Sequence, residues 1–482
     1  EGKKVIKFNF NKKIEKYMDK YIVEFDNVYI SKPVINENNG IIKQMYPNEA
    51  RLRSLTYSSK IYCDISQYRE TYNETNDTYD RTKLKSLIKY NIGKIPIMLQ
   101  SKFCILSDKS IYTKVEMGEC KYDYGGYFII NGSEKVLICQ EKKCENKVYV
   151  FPSSRALMQK YSHIAEITSI SKCRSIGSVI KAMILTKESS YGKTIKISLN
   201  RIRTDIPFAI IFKALGVLTD KEIVTYICGD LNSEQSKQIM GIIRPSLEEA
   251  SSIETKELAI EYISNYVSVH LTHRNVVDAE KYKLRYVEEI VKKHLFPHLG
   301  DSIIKKVFFL GHMMRKFVLH YLGKVPPDDR DSFINKRLDT AGSLMASLFR
   351  DNFIKMMRDM KILIDKDINA NRIDDLENLL GKKIKSNTLE TNIKYALATG
   401  NWGIKTRISR KGIAQVLDRL TYLSTLSHLR RVMAPGIADA SSKQVDPRKL
   451  HNTQWGILCP NETPEGGSIG VVKNLALLSC LS

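Results

Sequence analysis

Several familiar features are missing from this 482-residue chain, and each absence narrows what it can be. No run of about eighteen consecutive apolar residues occurs, the length a bilayer-crossing helix needs, so no membrane partner is expected. No Cys-x-x-Cys pair occurs. The nine cysteines (Cys63, Cys104, Cys120, Cys139, Cys144, Cys173, Cys228, Cys459 and Cys480) are odd in number and irregularly spaced, which argues against a disulfide framework and a zinc site alike. We therefore expect a reduced, intracellular chain that binds no metal of its own. It begins Glu1-Gly2-Lys3-Lys4 with neither an initiator Met nor an apolar leader, and it closes inside the apolar run Val471 to Leu481, so a piece of a longer polypeptide is expected. Acidic residues are scarce too: 53 Asp and Glu stand against 76 Lys and Arg, a formal charge of +23. Such an excess repels itself in a compact state unless a polyanion compensates it, and a nucleic-acid backbone is the obvious one. The alternative is a Lys-rich surface reflecting an AT-rich genome, which abundant Lys, Ile, Asn and Tyr also fit.

What is present reads as a globular chain of two or three domains, with 43% hydrophobic and 27% charged residues. Residues 20 to 150 read as strands and turns. Within them, Tyr127-Phe128-Ile129-Ile130, then Asn131-Gly132, then Val136-Leu137-Ile138 predicts a hairpin, because Asn-Gly accepts the positive φ of a tight turn. The polar stretch Tyr68 to Arg81 predicts a loop. From 205 to 360 the pattern turns helical: Val287, Ile290, Val291 and Leu295 line one helix face that Pro297 closes. From about 400 onward the chain is basic and punctuated by Gly and Pro.

Several apparent motifs carry no chemistry. Gly192-Lys193-Thr194 resembles the tail of a phosphate-binding loop, but its leading glycine position is Lys187, so the cradle of amides is missing. His270 with His273, and His294 with His298, sit at helical spacing without an acidic or cysteine partner, and a structural role is expected. Asp328-Asp329-Arg330-Asp331 after two prolines predicts an acidic helix start. No Ser-His-Asp or Cys-His grouping supports a nucleophile.

The last eighty residues differ. Lys405-Thr406-Arg407-Ile408-Ser409-Arg410-Lys411-Gly412 is a basic, Gly-ended loop suited to a phosphate backbone. Ser427-His428-Leu429-Arg430-Arg431 places a His and paired guanidinium forks after Gln415-Val416-Leu417-Asp418-Arg419, and such forks meet phosphate bidentately. Glu462-Thr463-Pro464-Glu465-Gly466 is a constrained turn whose carboxylates would orient basic neighbours. Any one of these, alone, reads equally as a solvated basic face.

Taken in order, these strings resemble the second-largest (beta-like) subunit of multi-subunit DNA-dependent RNA polymerases, of the eukaryotic polymerase II or nucleocytoplasmic large DNA virus type. The runs that carry the resemblance start with Tyr46-Pro47-Asn48-Glu49-Ala50-Arg51-Leu52-Arg53-Ser54-Leu55-Thr56-Tyr57 and Gly125-Gly126-Tyr127-Phe128-Ile129-Ile130-Asn131-Gly132-Ser133-Glu134-Lys135-Val136. They continue through Asp205-Ile206-Pro207, Asp328-Asp329-Arg330-Asp331, Lys336-Arg337-Leu338, and Tyr395-Ala396-Leu397-Ala398-Thr399-Gly400-Asn401-Trp402-Gly403. Ser424-Thr425-Leu426-Ser427-His428-Leu429-Arg430-Arg431 and Leu450-His451-Asn452-Thr453 through Gly466 complete them, so the likeness spans almost the whole chain from about residue 20.

The resemblance implies an α+β multidomain fold. A protrusion would take residues 1–197 and the returning segment 360–399, a helical lobe would be inserted at 198–359, and a fork would run over 400–482. It also implies that Lys405, Arg407, Arg410, Gln415, His428, Arg430 and Arg431 contact RNA or template DNA, with Arg448, Glu462 and Glu465 as active-centre scaffold. A second fork loop, near Ala434 to Asp446, would lie where downstream DNA strands separate. No catalytic residue is expected in this chain. The family's Mg2+-holding D-x-D-G-D string belongs to the largest subunit and does not occur here. Zn2+ belongs to the portion of the subunit that follows. Expected partners are that largest subunit, the remaining part of the second-largest subunit, smaller polymerase subunits, template DNA and the RNA–DNA hybrid. The second fork loop, Gly467-Ser468 and Leu423 depart from the cellular form. With the residue bias and a compact amino-terminal region they lean toward a virus, hence a cytoplasmic factory or virion rather than the nucleus.

Overall fold

The computed structural model describes residues 4–9, 20–73, 78–154, 157–171, 177–267, 276–369, 381, 383–403, 410–435 and 444–481. It is a mixed helix-and-sheet protein of two compact units: residues 1–142 with 336–482, and residues 143–335.

In the first unit, β1 (Lys4–Asn9), β2 (Lys20–Ile30), β5 (Ser58–Asn73) and β6 (Thr78–Pro96) form an antiparallel sheet in the order β1-β2-β5-β6. Between them lie the small hairpin β3 (Val34–Asn36) with β4 (Ile42–Gln44) and the short helix α1 (Pro47–Leu52). Of the loop expected over Tyr68–Arg81, residues 68–73 and 78–81 are strand instead and residues 74–77 lie outside the described residues: Tyr68 pairs with Lys83 and Glu70 with Arg81, continuing the β5–β6 ribbon. Arg81 explains how polar residues stay extended there, since its guanidinium lies 3.7 Å from the Tyr68 ring and 2.8 Å from Glu24. Cross-strand pairs of this kind stabilise a ribbon whose composition alone reads as loop.

After α2 (Ile111–Glu116), β7 (Phe128–Ile130) and β8 (Ser133–Leu137) form the expected hairpin, with φ of 50° at Asn131 and 78° at Gly132. Both central residues at positive φ are what a two-residue turn between right-twisted strands requires. Strand β9 (Cys139–Lys143) follows.

The second unit opens with an antiparallel sheet, β10 (Tyr149–Pro152), β11 (Tyr161–Ser169), β12 (Ser178–Leu185), β13 (Ile195–Ser198) and β14 (Ile206–Pro207), adjacent in sequence order. Helices α3 (Phe208–Ala214), α4 (Asp220–Cys228), α5 (Glu234–Glu249), α6 (Lys256–Ser264), α7 (Val276–Lys293) and α8 (Ile303–Tyr321) share its core. Ile167, Ile180 and Ile197 of the sheet belong to one buried cluster with Ile210, Phe212, Ile243 and Phe317 of the helices. Each such side chain contributes roughly 1.5–3 kcal/mol on burial. The strands need the helices to cover their apolar face, and together they make the compact unit of residues 143–335. The predicted face of α7 is buried through Val287, Ile290 and Leu295.

Two expectations in this unit fare differently. His298 is structural as expected: it pairs with Ser169 Oγ at 2.7 Å and packs edge-on against Phe309. His270 and His273 lie outside the described residues. Asp328–Asp331 starts no α-helix; Asp328 instead accepts from the Val150 amide and from Lys316 Nζ, both at 2.8 Å. A local helix-start signal is overridden where a buried strand amide and a lysine need the same carboxylate.

The chain then returns to the first unit with β15 (Lys336–Asp339), α9 (Ala341–Asn369) and α10 (Ser386–Thr399). Leu348, Met356, Met360, Leu389 and Ile393 of these helices cover Tyr21, Val23, Ile65 and Phe128. Finally come β16 (Ala414–Val416), α11 (Tyr422–Leu429), β17 (Arg431–Met433) and β18 (Val472–Asn474). They complete two small sheets, β16-β8-β7 and β15-β9-β17-β18.

Candidate nucleic-acid interface

Three separate runs of sequence meet around β16 and α11. Strand β16 adds to the hairpin with Gln415 opposite Val136 and Val416 opposite Lys135. The chain then turns at Asp418, whose carboxylate takes the Leu420 amide at 2.9 Å while its carbonyl takes the Thr425 hydroxyl at 2.6 Å. Thr421 and Ser424 form a reciprocal capping box that starts α11. His428 leaves the far end of that helix buried, and its Nδ1 accepts the Asp418 amide at 3.1 Å. That leaves Nε2 to carry the proton and donate to Gln415 Oε1 at 3.1 Å. Gln415 Nε2 in turn donates to the Gly412 carbonyl at 3.1 Å. Burial, and next the positive charge of Arg431, push His428 below the ordinary histidine range, with Asp418 opposing. Gln415 and His428 thus form a neutral internal bridge between β16 and α11.

A second buttress holds the same segment from the other side. Arg51 donates to Glu134 at 2.8 Å, to both Glu119 oxygens at 2.9 and 3.0 Å, and to the Tyr127 hydroxyl at 2.7 Å. Arg419 donates to Glu134 at 2.7 Å and to Asp123 at 3.1 Å, and Asp123 also accepts from Tyr127 at 2.6 Å. Two guanidiniums, three carboxylates and a phenol therefore link α1, the hairpin and the Asp418 turn. Burial raises the Glu134 carboxyl, but Arg419 and then Arg51 outweigh it and leave it below its ordinary value. Asp123 behaves alike: burial is overcome by the Tyr127 hydroxyl, the Gly125 amide and Arg419.

Beyond α11, β17 runs antiparallel to β18, with Arg431 opposite Asn474, and parallel to β9. Across this sheet, the Glu141 carboxylate on β9 takes Lys473 of β18 at 2.8 Å and Lys336 of β15 at 3.0 Å. Arg430 spends one arm of its fork on the Ala476 and Leu477 carbonyls at 2.7 and 3.3 Å. Arg431 is half-buried, and its Nε is buried with no hydrogen-bond partner among the described residues. Arg448 staples two loops, donating to the carbonyls of Gln444, Gly467 and Ile469 at 3.1, 2.7 and 3.0 Å. Glu462 is exposed and accepts from the Ser427 hydroxyl, whereas Glu465 is exposed. Arg410 is exposed and pairs through its backbone with Trp402, next to exposed Lys411. Lys405, Arg407 and most of the second fork loop, residues 436–443, lie outside the described residues.

The predicted residues thus fall into small groups: Gln415 with His428, Arg430 with the turn after β18, Glu462 with Ser427 of α11, and Arg448 with the 467–469 turn. Arg51, Glu119, Asp123, Glu134, Arg419, Glu141 and Lys473 are not among them. Arg51 and Glu134 stand inside the runs that carry the resemblance and Arg419 ends the Gln415–Arg419 string, and an arginine inside an otherwise apolar-and-turn motif is the available signal. Nothing in the sequence pairs Glu141 with Lys473, 332 positions apart. Among the described residues no three His, Cys, Asp or Glu side chains converge as a metal would require, and no helix is long and apolar enough to cross a membrane.

Among the described residues, these ion pairs and hydrogen bonds tie α1, the β7–β8 hairpin, β16 and α11 together. The chain belongs to the RNA polymerase beta subunit family: the family's sequence profile matches residues 3–391, and that of RNA polymerase Rpb2 domain 3 matches residues 415–480. It is 41% identical to DNA-directed RNA polymerase II subunit 2 of Arabidopsis thaliana over 468 residues, which covers 95% of this chain and 38% of the plant protein. Identity to subunit RPB2 of Schizosaccharomyces pombe is 43% over 477 residues, again 38% of the relative. To DNA-directed RNA polymerase subunit Rpo2N of Methanothermobacter thermautotrophicus it is 34% over 487 residues, covering 87% of that protein. The chain thus spans under two-fifths of the polymerase II relatives and most of the archaeal one.

Proposed function

We propose that this chain forms one side of the cleft of a DNA-dependent RNA polymerase, where it positions template DNA, the RNA–DNA hybrid and downstream DNA. In this reading the first compact unit carries the protrusion and fork, and the second carries the lobe. The observation that supports it is the bracing of Gln415–Arg431 from two sides, by the His428 bridge and the Arg51–Arg419 network. A segment held that firmly keeps Arg431 at a fixed place relative to a phosphate backbone. Positioning of reactants is the larger part of what a scaffold gives to catalysis. Gln415 and His428 act here by setting the segment's shape, and Arg448 and Glu462 by fixing the turns beside it.

Nucleotidyl transfer needs metal ions that stabilise the attacking and leaving oxygens. Glu462 and Glu465 are single exposed carboxylates and do not suit that task. The metal-holding residues would come from the largest subunit, whose D-x-D-G-D string this chain lacks. The remaining part of the second-largest subunit, with its Zn2+, and smaller subunits would complete the assembly. The compartment follows the assembly: the nucleus, or the cytoplasmic factory of a large DNA virus.

Reconstitution tests the reading. The purified chain alone should make no RNA with Mg2+, whereas a polypeptide carrying D-x-D-G-D should co-purify with it and the full assembly should transcribe. RNA synthesis by the isolated chain, or failure to bind any such partner, sinks it. Within an active assembly, Arg431→Ala should weaken hybrid retention and reduce its salt slope by about one unit. Arg430→Ala should act mainly on folding, because its fork is bonded to Ala476 and Leu477.

A further inference from the structure

The second unit carries an open groove that the polymerase reading does not use. Helices α4 and α8 touch at backbone distance: a Cβ on Gly311 would lie 2.3 Å from the Tyr226 carbonyl oxygen. Beside that contact the helices diverge around a cavity of about 660 Å3, lined by Lys221, Glu222, Tyr226, Phe308, His312 and Arg315 among others. Tyr226 and Phe308 form its apolar wall, edge to face at 5.1 Å. Phe308 is nevertheless 59% exposed, and Ile304, one turn earlier on α8, is 68% exposed. Arg315 closes one end, its Nη1 donating to the Cys228 carbonyl at the end of α4 at 2.9 Å. Large apolar side chains held open in a preformed cleft are unfavourable in water and mark a binding surface.

We propose that this groove docks an acidic segment of a partner protein through one aromatic or aliphatic anchor residue. Charge selects the occupant. Lys221 and Arg315 outnumber Glu222 on the rim, His312 is exposed beside them, and the whole chain carries +23. A second copy of this chain would bring the same positive rim and be repelled. A nucleic-acid strand is poorly served, because base stacking needs an open ring face and the edge-to-face pair offers none in parallel. Glu222 on the rim also opposes phosphate. An apolar anchor between Tyr226 and Phe308, flanked by carboxylates near Lys221 and Arg315, matches both the wall and the charge. The proposal is independent of the polymerase reading.

The test uses the full chain and a fluorescein-labelled synthetic peptide of Asp, Glu and Ser around one central Phe. Saturable binding is expected. Phe308→Ser should weaken it roughly tenfold, and Phe→Ser in the peptide should do the same, with little further loss when both are combined. Lys221→Glu should weaken it severalfold and flatten its salt dependence. With a photoreactive benzoylphenylalanine replacing the anchor, unmodified chain should crosslink within Lys221–Gly229 or Ile304–Arg315. Three results would each overturn the proposal: no saturable binding, crosslinks scattered elsewhere, or equal losses that simply add. Competitive displacement by single-stranded oligothymidylate whose own affinity falls in Phe308→Ser would assign the groove to a nucleic-acid strand instead.

Discussion

Replacing Glu141 by Gln isolates one buried charge and asks what holds β17 in place. The Glu141 side chain is 3% exposed, with Lys473 Nζ at 2.8 Å and Lys336 Nζ at 3.0 Å; the lysine side chains are 7% and 15% exposed. Gln keeps the shape and removes the negative charge, so the carboxylate that both ammonium groups share is lost from a largely buried site. Removing one partner of a buried ion pair costs roughly 3–5 kcal/mol. The sheet order β15-β9-β17-β18 means that this cost falls on the strand beginning at Arg431. Because the chain has two compact units, a single unfolding free energy is not well defined, and local protection is the better measure. Hydrogen exchange of peptides covering Cys139–Lys143, Arg431–Met433 and Val472–Asn474 should speed up by about two to three and a half orders of magnitude, using 1.4 kcal/mol per tenfold. Peptides of β11 and β12, in the other unit, serve as the unchanged reference. Glu141→Leu combined with Lys336→Met and Lys473→Met should restore most of the protection, since an apolar replacement of a whole buried ion cluster is often neutral. Unchanged exchange at Arg431–Met433 in Glu141→Gln, or a triple variant no better than the single one, would refute the reasoning.

Acid should act on the Arg51–Arg419 network. Glu134 and Asp123 have folded values below their ordinary ones, so their stabilisation is full above the free carboxylate range near 4 and fades as pH falls below it. Arg419→Met should shrink that acid-side loss, read as exchange of the 128–137 hairpin along a pH series; an unaltered profile would count against the network. Burial pushes Lys306 down to about 8, against the pull of Asp301, while its Nζ donates to the Val291 and Lys292 carbonyls. Between about 8 and the free lysine value near 10.4, the unfolded chain holds a proton that the folded chain has released. Stability of the second unit should therefore rise with pH across that window, by roughly 3 kcal/mol at most, and the rise should vanish in Lys306→Met. Gly311→Ala places a methyl 2.3 Å from the Tyr226 carbonyl and should cost about 1–3 kcal/mol by prying α8 from α4, measured as faster hydrogen exchange of α4 and α8 peptides.

The Asn131-Gly132 hairpin and the α7 face ending before Pro297 were legible because each depends on neighbours in sequence: a turn needing positive φ, and an apolar period closed by an imino acid. The pairing of β5 residues 68–73 with β6 from Thr78 was not, because Arg81 finds Tyr68 and Glu24 only once the sheet exists. The candidate site divides the same way. Motif order sufficed to mark Gln415–Arg431 as a candidate, yet side-chain type could not show which arginine is bonded to the fold's own carbonyls. Arg430 and Arg431 are adjacent and chemically identical, and only the carbonyls of Ala476 and Leu477 make the first a strap. The resemblance implies that His428 contacts RNA or template, and only the fold shows that its ring also joins the Asp418 amide to Gln415.

By itself the amino-acid sequence determined the family, the excess of positive charge, and the elements whose signals are local. Tertiary structure alone decided where the units divide, which arginines are already satisfied, and which carboxylates are buried between cations. The reason is physical: backbone preferences act over a few residues, whereas the cost of desolvating a charge depends on whatever the fold brings against it, such as Lys473 against Glu141 from 332 positions away.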